Sequence, residues 1–326
     1  MSRNVLVTGG AGYVGSHICK ALNENGYSPI TFDNLSTGHA EFVKWGPLIV
    51  GDLRNQPAIE EAFVQYGIKS VIHVAAKAYV SESMSNPIKY YRENIETITN
   101  LMDVFTKSLG QHFIFSSSCA TYGEPKIEFI SESCPQNPVN PYGVTKLAGE
   151  KLIAQLSSIY GFNFSILRYF NVAGADSALE IGEIHLDEPH LIPRLIWSAK
   201  SGEEFKIYGS DYNTHDGTAV RDFIHVSDLA AAHLVALQRS ISTRENLIAN
   251  LGTGNGYSVL DITNAMKSYF PNLKILICEK RTGDPARLVS RSNLDSSDFN
   301  WSPKHSQIEQ ILVSAINWDE KISKKK

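Results

Sequence analysis

The sequence predicts an α/β fold: a doubly wound parallel sheet with a smaller α/β lobe beside it. Up to about residue 170, short runs of β-branched and other apolar residues alternate with helix-length segments. That alternation is typical of parallel strands joined by crossover helices. Between residues 174 and 222 the pattern becomes irregular, and Gly, Asp, Pro and His are frequent. The change indicates a second lobe of different construction.

Nearly all-apolar runs predict six strands covered by helices on both faces of the sheet. They are residues 4–8, 29–33, 48–51, 70–74, 112–116 and 164–168. Helices are predicted near residues 12–25, 56–66, 87–109, 141–160 and 191–201, from residue 227, and after residue 258. Pro87 and Pro141 stand in a first helical turn, where a missing N–H is tolerated. Ser258 and Asp261 have the spacing of a capping box.

The chain is expected to divide into two domains that share an extensive interface. The domain that carries the sheet comprises residues 1–170 plus 225–253. The smaller lobe comprises residues 171–224 plus 254–326. No low-complexity linker separates the two parts, which is why we expect them to pack closely.

Two of the predicted helices carry wide apolar stripes. Apolar residues recur at a spacing of three to four in 87–109, at Ile88, Tyr91, Ile95, Ile98, Met102, Phe105 and Leu109. The helix at 141–160 has a similar set, at Val144, Leu147, Leu152, Leu156 and Ile159. Such wide stripes indicate burial on more than one side. Packing against the sheet alone and a helical seam between two copies of the chain are both compatible with them.

The composition argues against several classes of protein. A formal net charge of −4 over 326 residues provides no long-range attraction to nucleic acid or to an anionic membrane. No apolar run approaches the ~18 residues of a membrane span, and the first residues lead directly into a strand, so a cytoplasmic protein is expected. The four cysteines lack metal-ligand spacing and the ten histidines form neither HxH nor HExxH, so no metal site is expected.

A glycine-rich motif follows the first strand and opens the first helix. Gly9, Gly12 and Gly15 allow a tight turn, close approach of the backbone to a pyrophosphate, and close helix–strand packing. The helix N-terminus offers N–H groups and a positive dipole end to phosphates. Asp33, which ends the second strand, suits a ribose diol and repels a 2′-phosphate. Together these features predict a Rossmann site for NAD rather than NADP. Asp52, after the third strand, suits either an adenine contact or a helix cap.

A second group of residues predicts catalysis. Ser118 lies just beyond the fifth strand, and ligands of such sheets bind beyond the carboxyl ends of the strands. Tyr142 and Lys146 are four residues apart at the start of a helix, so they share one face. A nearby ammonium and a nicotinamide cation favour the phenolate, and lowering its pKa to ~7 needs about 4 kcal/mol. Tyr142 is then the predicted base, and Ser118 holds the substrate oxygen during proton and hydride transfer.

These motifs carry a resemblance to a known family. The chain resembles the extended short-chain dehydrogenases/reductases, and within them the sugar-nucleotide 4-epimerases, over nearly its whole length. The matching segments are VTGGAGYVGSH (7–17), FSSSCATYG (115–123), NPYG (140–143), LRYFN (167–171), DGTAVRD (216–222), NLG (250–252) and GD (283–284). The last four segments are more specific to the epimerases than the glycine motif is.

The resemblance implies a role for each matching position. It implies that Ser118, Tyr142 and Lys146 are catalytic. It implies that NAD is bound by Gly9, Gly12, Tyr13, Val14, Gly15, Asp33, Asn34, Asp52, Leu53, Ala75, Asn94, Tyr142, Lys146, Tyr169 and Phe170, and Lys77 is a further candidate. It implies that a UDP-sugar is bound by Ser118, Asn171, His190, Leu191, Tyr208, Arg221, Arg281, Asp284 and Leu288. The two arginines suit a diphosphate, which needs fixed cationic groups.

Three positions depart from the family pattern. Many relatives have a lysine at the position of Ala78, whereas Lys77 lies one residue earlier here, which leaves its contact with NAD open. His190 stands where relatives often have an asparagine beside the substrate. Leu288, at the position that gates the sugar 2-substituent, is neither a bulky aromatic nor very small, so acceptance of N-acetylated sugars is open.

The expected activity is reversible, NAD-dependent 4-epimerisation of UDP-glucose and UDP-galactose through a transient 4-keto sugar. A 4,6-dehydratase would need an acidic pair after Ser118, where Cys119 and Ala120 stand. A 4-epimerase of an N-acetylated, pentose or uronic-acid UDP-sugar and a catalytically silent NAD-sensing module both stay open. The resemblance also implies a homodimer formed through the helices at 87–109 and 141–160.

Overall fold

The computed structural model describes residues 3–185, 188–281, 283–291 and 299–324, and within these ranges the chain forms thirteen strands. They are β1 (Asn4–Thr8), β2 (Ser28–Asp33), β3 (Leu48–Val50), β4 (Ser70–His73), β5 (His112–Ser118), β6 (Asn163–Tyr169), β7 (Asn171–Ala173), β8 (Phe205–Tyr208), β9 (Val220–His225), β10 (Leu247–Leu251), β11 (Gly256–Ser258), β12 (Ile275–Cys278) and β13 (Arg287–Leu288).

The same ranges contain ten α-helices. They are α1 (Tyr13–Glu24), α2 (Gln56–Tyr66), α3 (Val80–Ser85), α4 (Pro87–Tyr90), α5 (Thr97–Lys107), α6 (Pro141–Tyr160), α7 (Leu191–Ser201), α8 (Val226–Thr243), α9 (Val259–Lys267) and α10 (Ile308–Ser323). None of the helices in the described ranges combines the length and apolar character that crossing a bilayer requires.

Seven parallel strands form the main sheet, in the order β10–β6–β5–β4–β1–β2–β3. Strand side chains alternate between two cores, one on each face. Leu6 packs with residues of α2, α5 and α6, whereas its neighbours Val5 and Val7 pack with residues of α1 and α8. The predicted doubly wound fold is therefore confirmed. The order changes direction between β1 and β4, which is where ligands of such sheets bind.

Smaller sheets lie beyond the main one. β9 pairs with β11, β13 and β7, and β8 pairs with β12. Helices α7, α9 and α10 close a third core around Leu195, Ile262 and Leu312. The predicted capping box at the start of α9 is confirmed, with Ser258 and Asp261 bonding each other's backbone N–H. The predicted domain boundaries stay a prediction.

The helix predicted over 87–109 has an internal irregularity. A π-helical turn, Tyr91–Glu96, lies between α4 and α5, and the helix ends at Lys107. Leu109 has a left-handed backbone with φ 54°, which is why the helix does not extend to it. Within the apolar stripe of this helix, Ile98 and Phe105 are buried, whereas Ile88 is 61% exposed. Packing against the sheet therefore covers only part of the apolar stripe.

Candidate active site

One continuous cavity of about 700 Å³ lies beyond the carboxyl ends of the sheet strands. Residues that follow β1, β2, β3, β4, β5 and β6 all line it, together with residues at the start of α7 and in β9. Every predicted site residue except Asn94 and Lys146 lines this cavity. The fold thus brings the predicted cofactor and substrate positions into one space.

The glycine motif forms the turn between β1 and α1. Gly9 has a left-handed backbone with φ 74°, and a Cβ there would lie 2.8 Å from the backbone nitrogen of Ala75. A Cβ on Gly15 would lie 2.0 Å from the carbonyl oxygen of Gly9, so only glycine permits this packing. Gly12 is the N-cap of α1 and makes no side-chain cap, which leaves this helix end open to the cavity. Such an end fits a pyrophosphate.

Asp33 ends β2 beside this turn, as predicted. Its two oxygens accept the N–H groups of Ala11 at 3.0 Å and Leu35 at 2.8 Å. Burial raises the pKa of Asp33, and these backbone donors oppose that shift. A carboxylate oxygen has a second lone pair, so the fixed side chain still suits a ribose diol. The donor end of α1 and this carboxylate together fit NAD.

Asp52 and Asn34 lie in the same part of the cavity. Arg54 donates to Asp52 at 2.6 Å and holds the pKa of that carboxyl well below its usual range. Asn34 also donates to Asp52, at 3.2 Å. The N-cap of α2 is Asn55, so Asp52 does not cap that helix.

Asn94 does not line the cavity, but its side chain forms hydrogen bonds with the backbone of the segment that follows β4. Its Oδ1 accepts the N–H of Lys77 at 2.8 Å, and its Nδ2 donates to the Lys77 carbonyl at 3.0 Å and to Thr145 at 3.0 Å. The π turn contains Asn94, which is buried there. Lys77 lines the cavity, and its Nζ lies 3.5 Å from the hydroxyl of Ser36.

The three predicted catalytic residues lie at the junction of β5 and α6. Ser118 ends β5, and its hydroxyl accepts the N–H of Ala120 at 3.1 Å. Tyr142 is in the first turn of α6, whose N-cap Asn140 accepts the N–H of Gly143. Lys146 is buried behind Tyr142, with its Nζ 5.9 Å from the centroid of the tyrosine ring.

Burial dominates the electrostatics of this group. It raises the pKa of Tyr142, and neighbouring Tyr169 raises it further while the Ser118 hydroxyl lowers it. Burial also lowers the pKa of Lys146 to about 7, against the influence of Glu150. The expected depression of the Tyr142 pKa relied on Lys146 and on the nicotinamide cation. The protein groups alone shift this pKa in the opposite direction, because desolvation disfavours both charges.

Two arginines mark another part of the cavity. Arg221 in β9 forms an ion pair with Asp284, and the Arg281 guanidinium stacks 3.8 Å over the ring of Tyr208. Leu288 packs with Cys119 and other buried residues, so this wall is apolar. An anionic group with an apolar neighbour suits such a surface.

The model of the NAD dependent epimerase/dehydratase family matches residues 5–252. The chain belongs to this family. A UDP-glucose 4-epimerase of Rhizobium meliloti (strain 1021) is 41% identical over 319 residues, with 97% of each chain covered.

Solved epimerase structures share the fold of this family member. That of UDP-glucose 4-epimerase from Brucella ovis in complex with NAD is 42% identical, with a TM-score of 0.92 and 96% and 97% of the two chains covered. That of the Bifidobacterium longum enzyme in complex with NAD+ and UDP is 33% identical, with a TM-score of 0.91 and 98% of each chain covered.

Sequence reasoning missed two buried carboxylates that support the site of this epimerase/dehydratase family member. Asp222 accepts N–H groups from Thr253, Gly254 and Ser290, which fixes the backbone next to Arg221. Glu150 forms a buried ion pair with Arg168 at 2.7 Å. Glu150 follows Lys146 by four residues on α6, and that spacing is a signal that could have identified it.

Sequence reasoning also missed part of the cavity wall. Glu183 and His185 line the cavity together with the predicted His190. They belong to an irregular segment before α7, where no periodic pattern indicates which side chains face inward.

Proposed function

We propose that this chain is an NAD-dependent isomerase that interconverts UDP-glucose and UDP-galactose by epimerisation at C4. The observation that carries the proposal is a single cavity lined by the glycine turn, by Ser118 and Tyr142, and by Arg221 and Arg281. The relatives named UDP-glucose 4-epimerase, and the solved complexes with NAD and with NAD+ and UDP, support the same reaction.

The cofactor and substrate positions predicted from the sequence form part of the proposal. The turn at Gly9 to Gly15 and the carboxylate of Asp33 hold NAD, through backbone N–H groups and a ribose diol. The guanidinium groups of Arg221 and Arg281 hold the diphosphate of the UDP-sugar. The bound NAD supplies the acceptor, and then the donor, of the hydride at sugar C4.

The chain's own residues handle the proton. Tyr142, as phenolate, takes the proton of the 4-hydroxyl, and the Ser118 hydroxyl donates a hydrogen bond to the same oxygen. The C4–H bond breaks as the carbonyl forms, and the 4-keto sugar then turns within the cavity while the arginines retain its diphosphate. Tyr142 returns the proton after hydride has added to the opposite face of C4. Substrate and product have the same oxidation state, so no external oxidant is consumed.

Proton NMR of UDP-galactose with purified protein and no added NAD tests the reaction directly. We expect a growing anomeric signal of UDP-glucose. In the Tyr142→Phe variant we expect turnover to fall by at least about 100-fold, because general base catalysis contributes that much, while co-purified NAD is unchanged. Tyr160→Phe, at the exposed end of the same helix, is the matched control and should keep full activity.

Two results would contradict the proposal. One is wild-type protein that holds NAD but leaves UDP-galactose unchanged, which would favour another UDP-sugar or a silent NAD-sensing module. The other is near wild-type turnover by Tyr142→Phe, which would remove the phenol from the role of base.

We also propose a homodimer in the cytoplasm. The homodimer is supported by apolar side chains that the fold leaves exposed along the two striped helices, such as Ile88 at 61% and Ile159 at 70%. The cytoplasmic location is supported by the four cysteines, which are all free thiols, as is usual in a reducing compartment.

A further inference from the structure

Two glutamates and two histidines converge in the segment that leads into α7. The Nδ1 atom of His190 lies 2.6 Å from Oε1 of Glu183 and 2.8 Å from Oε1 of Glu188. The Nδ1 atom of His185 lies 2.9 Å from Glu188 and 3.5 Å from Glu183. One ligand-type atom from each of the four side chains lies within 4.8 Å of every other. The four groups therefore surround a common point.

The two contacts of His185, at 2.9 and 3.5 Å, are close to the edges of a metal coordination shell, whereas the two contacts of His190, at 2.6 and 2.8 Å, are shorter. With metal–ligand bonds of about 2.1 Å, neighbouring ligand atoms are about 3.4 Å apart in a tetrahedron and about 3.0 Å apart in an octahedron. Two Nδ1 protons face three short N···O contacts of 2.6 to 2.9 Å, because each imidazole nitrogen carries one proton at most, and Oε1 of Glu188 also accepts the backbone N–H of His190. A single dication at the common point would be within reach of a ligand atom from all four side chains.

The backbone of this segment is held from outside the cluster. The indole N–H of Trp318 in α10 donates to the carbonyl of Glu183 at 2.9 Å. The imidazole of His39 lies 3.2 Å from the carbonyl of Ile184. The ring of Tyr79 meets the imidazoles of His185 and His190 edge-on, with centroids 5.8 and 5.9 Å away. The ligands are thus positioned by contacts that do not depend on an ion.

We propose that Glu183, His185, Glu188 and His190 bind one divalent transition-metal ion, of which Zn²⁺ and Co²⁺ are examples. Two imidazoles and two carboxylates form a mixed nitrogen and oxygen donor set that suits such ions better than Mg²⁺ or Ca²⁺, which prefer oxygen alone. The sequence predicts no metal site, because the spacing ExHxxExH of these four residues contains neither HxH nor HExxH. The present proposal replaces that expectation. It does not depend on the proposed epimerase activity.

Cobalt titration of untagged, chelator-treated protein tests the site. We expect visible d–d absorption that saturates at one Co²⁺ per chain, with Zn²⁺ displacing it at the same stoichiometry. In His185→Gln, Co²⁺ binding should weaken by more than about 100-fold, the upper end of what loss of an outer-shell partner costs. Glu188→Gln is a second variant in case the first one fails to fold, which its melting temperature reports.

The control variant is His215→Gln. His215 is exposed and lies beside the half-buried Asp216 and Asp261, and we expect this variant to bind Co²⁺ like the wild type. Absence of d–d absorption up to millimolar Co²⁺ would overturn the proposal. Hydrogen bonds between the histidines and the glutamates would then explain the cluster. Loss of binding in His215→Gln with retention in His185→Gln would also overturn it, because the ion would lie elsewhere.

Discussion

Lys146 combines burial with a charge that the proposed reaction uses. Its side chain is 3% exposed, and its Nζ donates to the carbonyl of Ser116 at 2.8 Å. Burial lowers its pKa from 10.5 to about 7. Between these values the unfolded chain binds more protons than the folded one, so the unfolding free energy rises with pH across that window. Below pH 7 the full cost of the buried ammonium is present.

Replacing Lys146 by an apolar residue should therefore stabilise the fold and abolish the activity. We expect Lys146→Met to raise the unfolding free energy at pH 6.5 by about 1–3 kcal/mol, since an ammonium that burial deprives of water is removed, although its hydrogen bond to the Ser116 carbonyl is lost with it. The gain should shrink towards pH 9.5, and epimerisation should be lost. Urea unfolding of both proteins in excess NAD at the two pH values measures this. A gain that is the same at both values, or a loss of stability at pH 6.5, would contradict the assigned pKa.

Single residues also mark how far sequence reasoning extends. Ser118, Tyr142 and Asp33 could be predicted because each follows a strand end or opens a helix, and such places are readable from periodicity. Glu183 and His185 could not be predicted, because their segment has no periodic pattern of apolar residues. The backbone of this segment is held in place by contacts with the side chains of Trp318 and His39. Those anchors are more than a hundred residues away in the sequence.

At the scale of elements, the junction of β1 and α1 has little tolerance for change. We expect Gly15→Ala to destabilise the fold by roughly 3 kcal/mol or more, because its Cβ would overlap the carbonyl oxygen of Gly9 at 2.0 Å, a cost in the range of other severe core strains. Bound NAD should fall with it. Thermal unfolding and the NAD content of the purified protein measure both effects.

Gly67→Ala is the matched control for that prediction. Gly67 caps α2 with φ 58°, and nothing lies within 4 Å of an added Cβ. Only the cost of the left-handed backbone remains, which is about 1–2 kcal/mol. If Gly15→Ala is no more harmful than this control, the close packing of the glycine turn is not what restricts the position to glycine.

Elements were also where the sequence and the structure differed most. The periodic stripe over 87–109 predicted a helix correctly but gave no sign of the π turn at Tyr91–Glu96. The turn places Asn94 inward, where it bonds the backbone of Lys77 and the side chain of Thr145. Those partners are tertiary, so neither propensity nor periodicity reports them.

At the scale of the molecule, one face of the two striped helices is left uncovered by the residues that the structure describes. Ile88 and Ile159 remain mostly exposed although both belong to the predicted stripes. An exposed apolar residue is common on its own, but these positions extend stripes in which other members are buried, such as Ile98, or pack partly buried against the core, such as Leu152. A second copy of the chain would remove them from water.

A charge on this face should separate the copies without unfolding them. We expect wild-type protein to have twice the 36.1 kDa mass of the chain in light scattering at micromolar concentration. Ile88→Glu should have the monomer mass, because burying an unpaired carboxylate at the interface costs about 3–5 kcal/mol, whereas Ile88 is exposed in the single chain. Val64→Glu, at an 84% exposed apolar position on α2, should stay dimeric. A monomeric wild type, or a dimeric Ile88→Glu, would show that this face is not the interface.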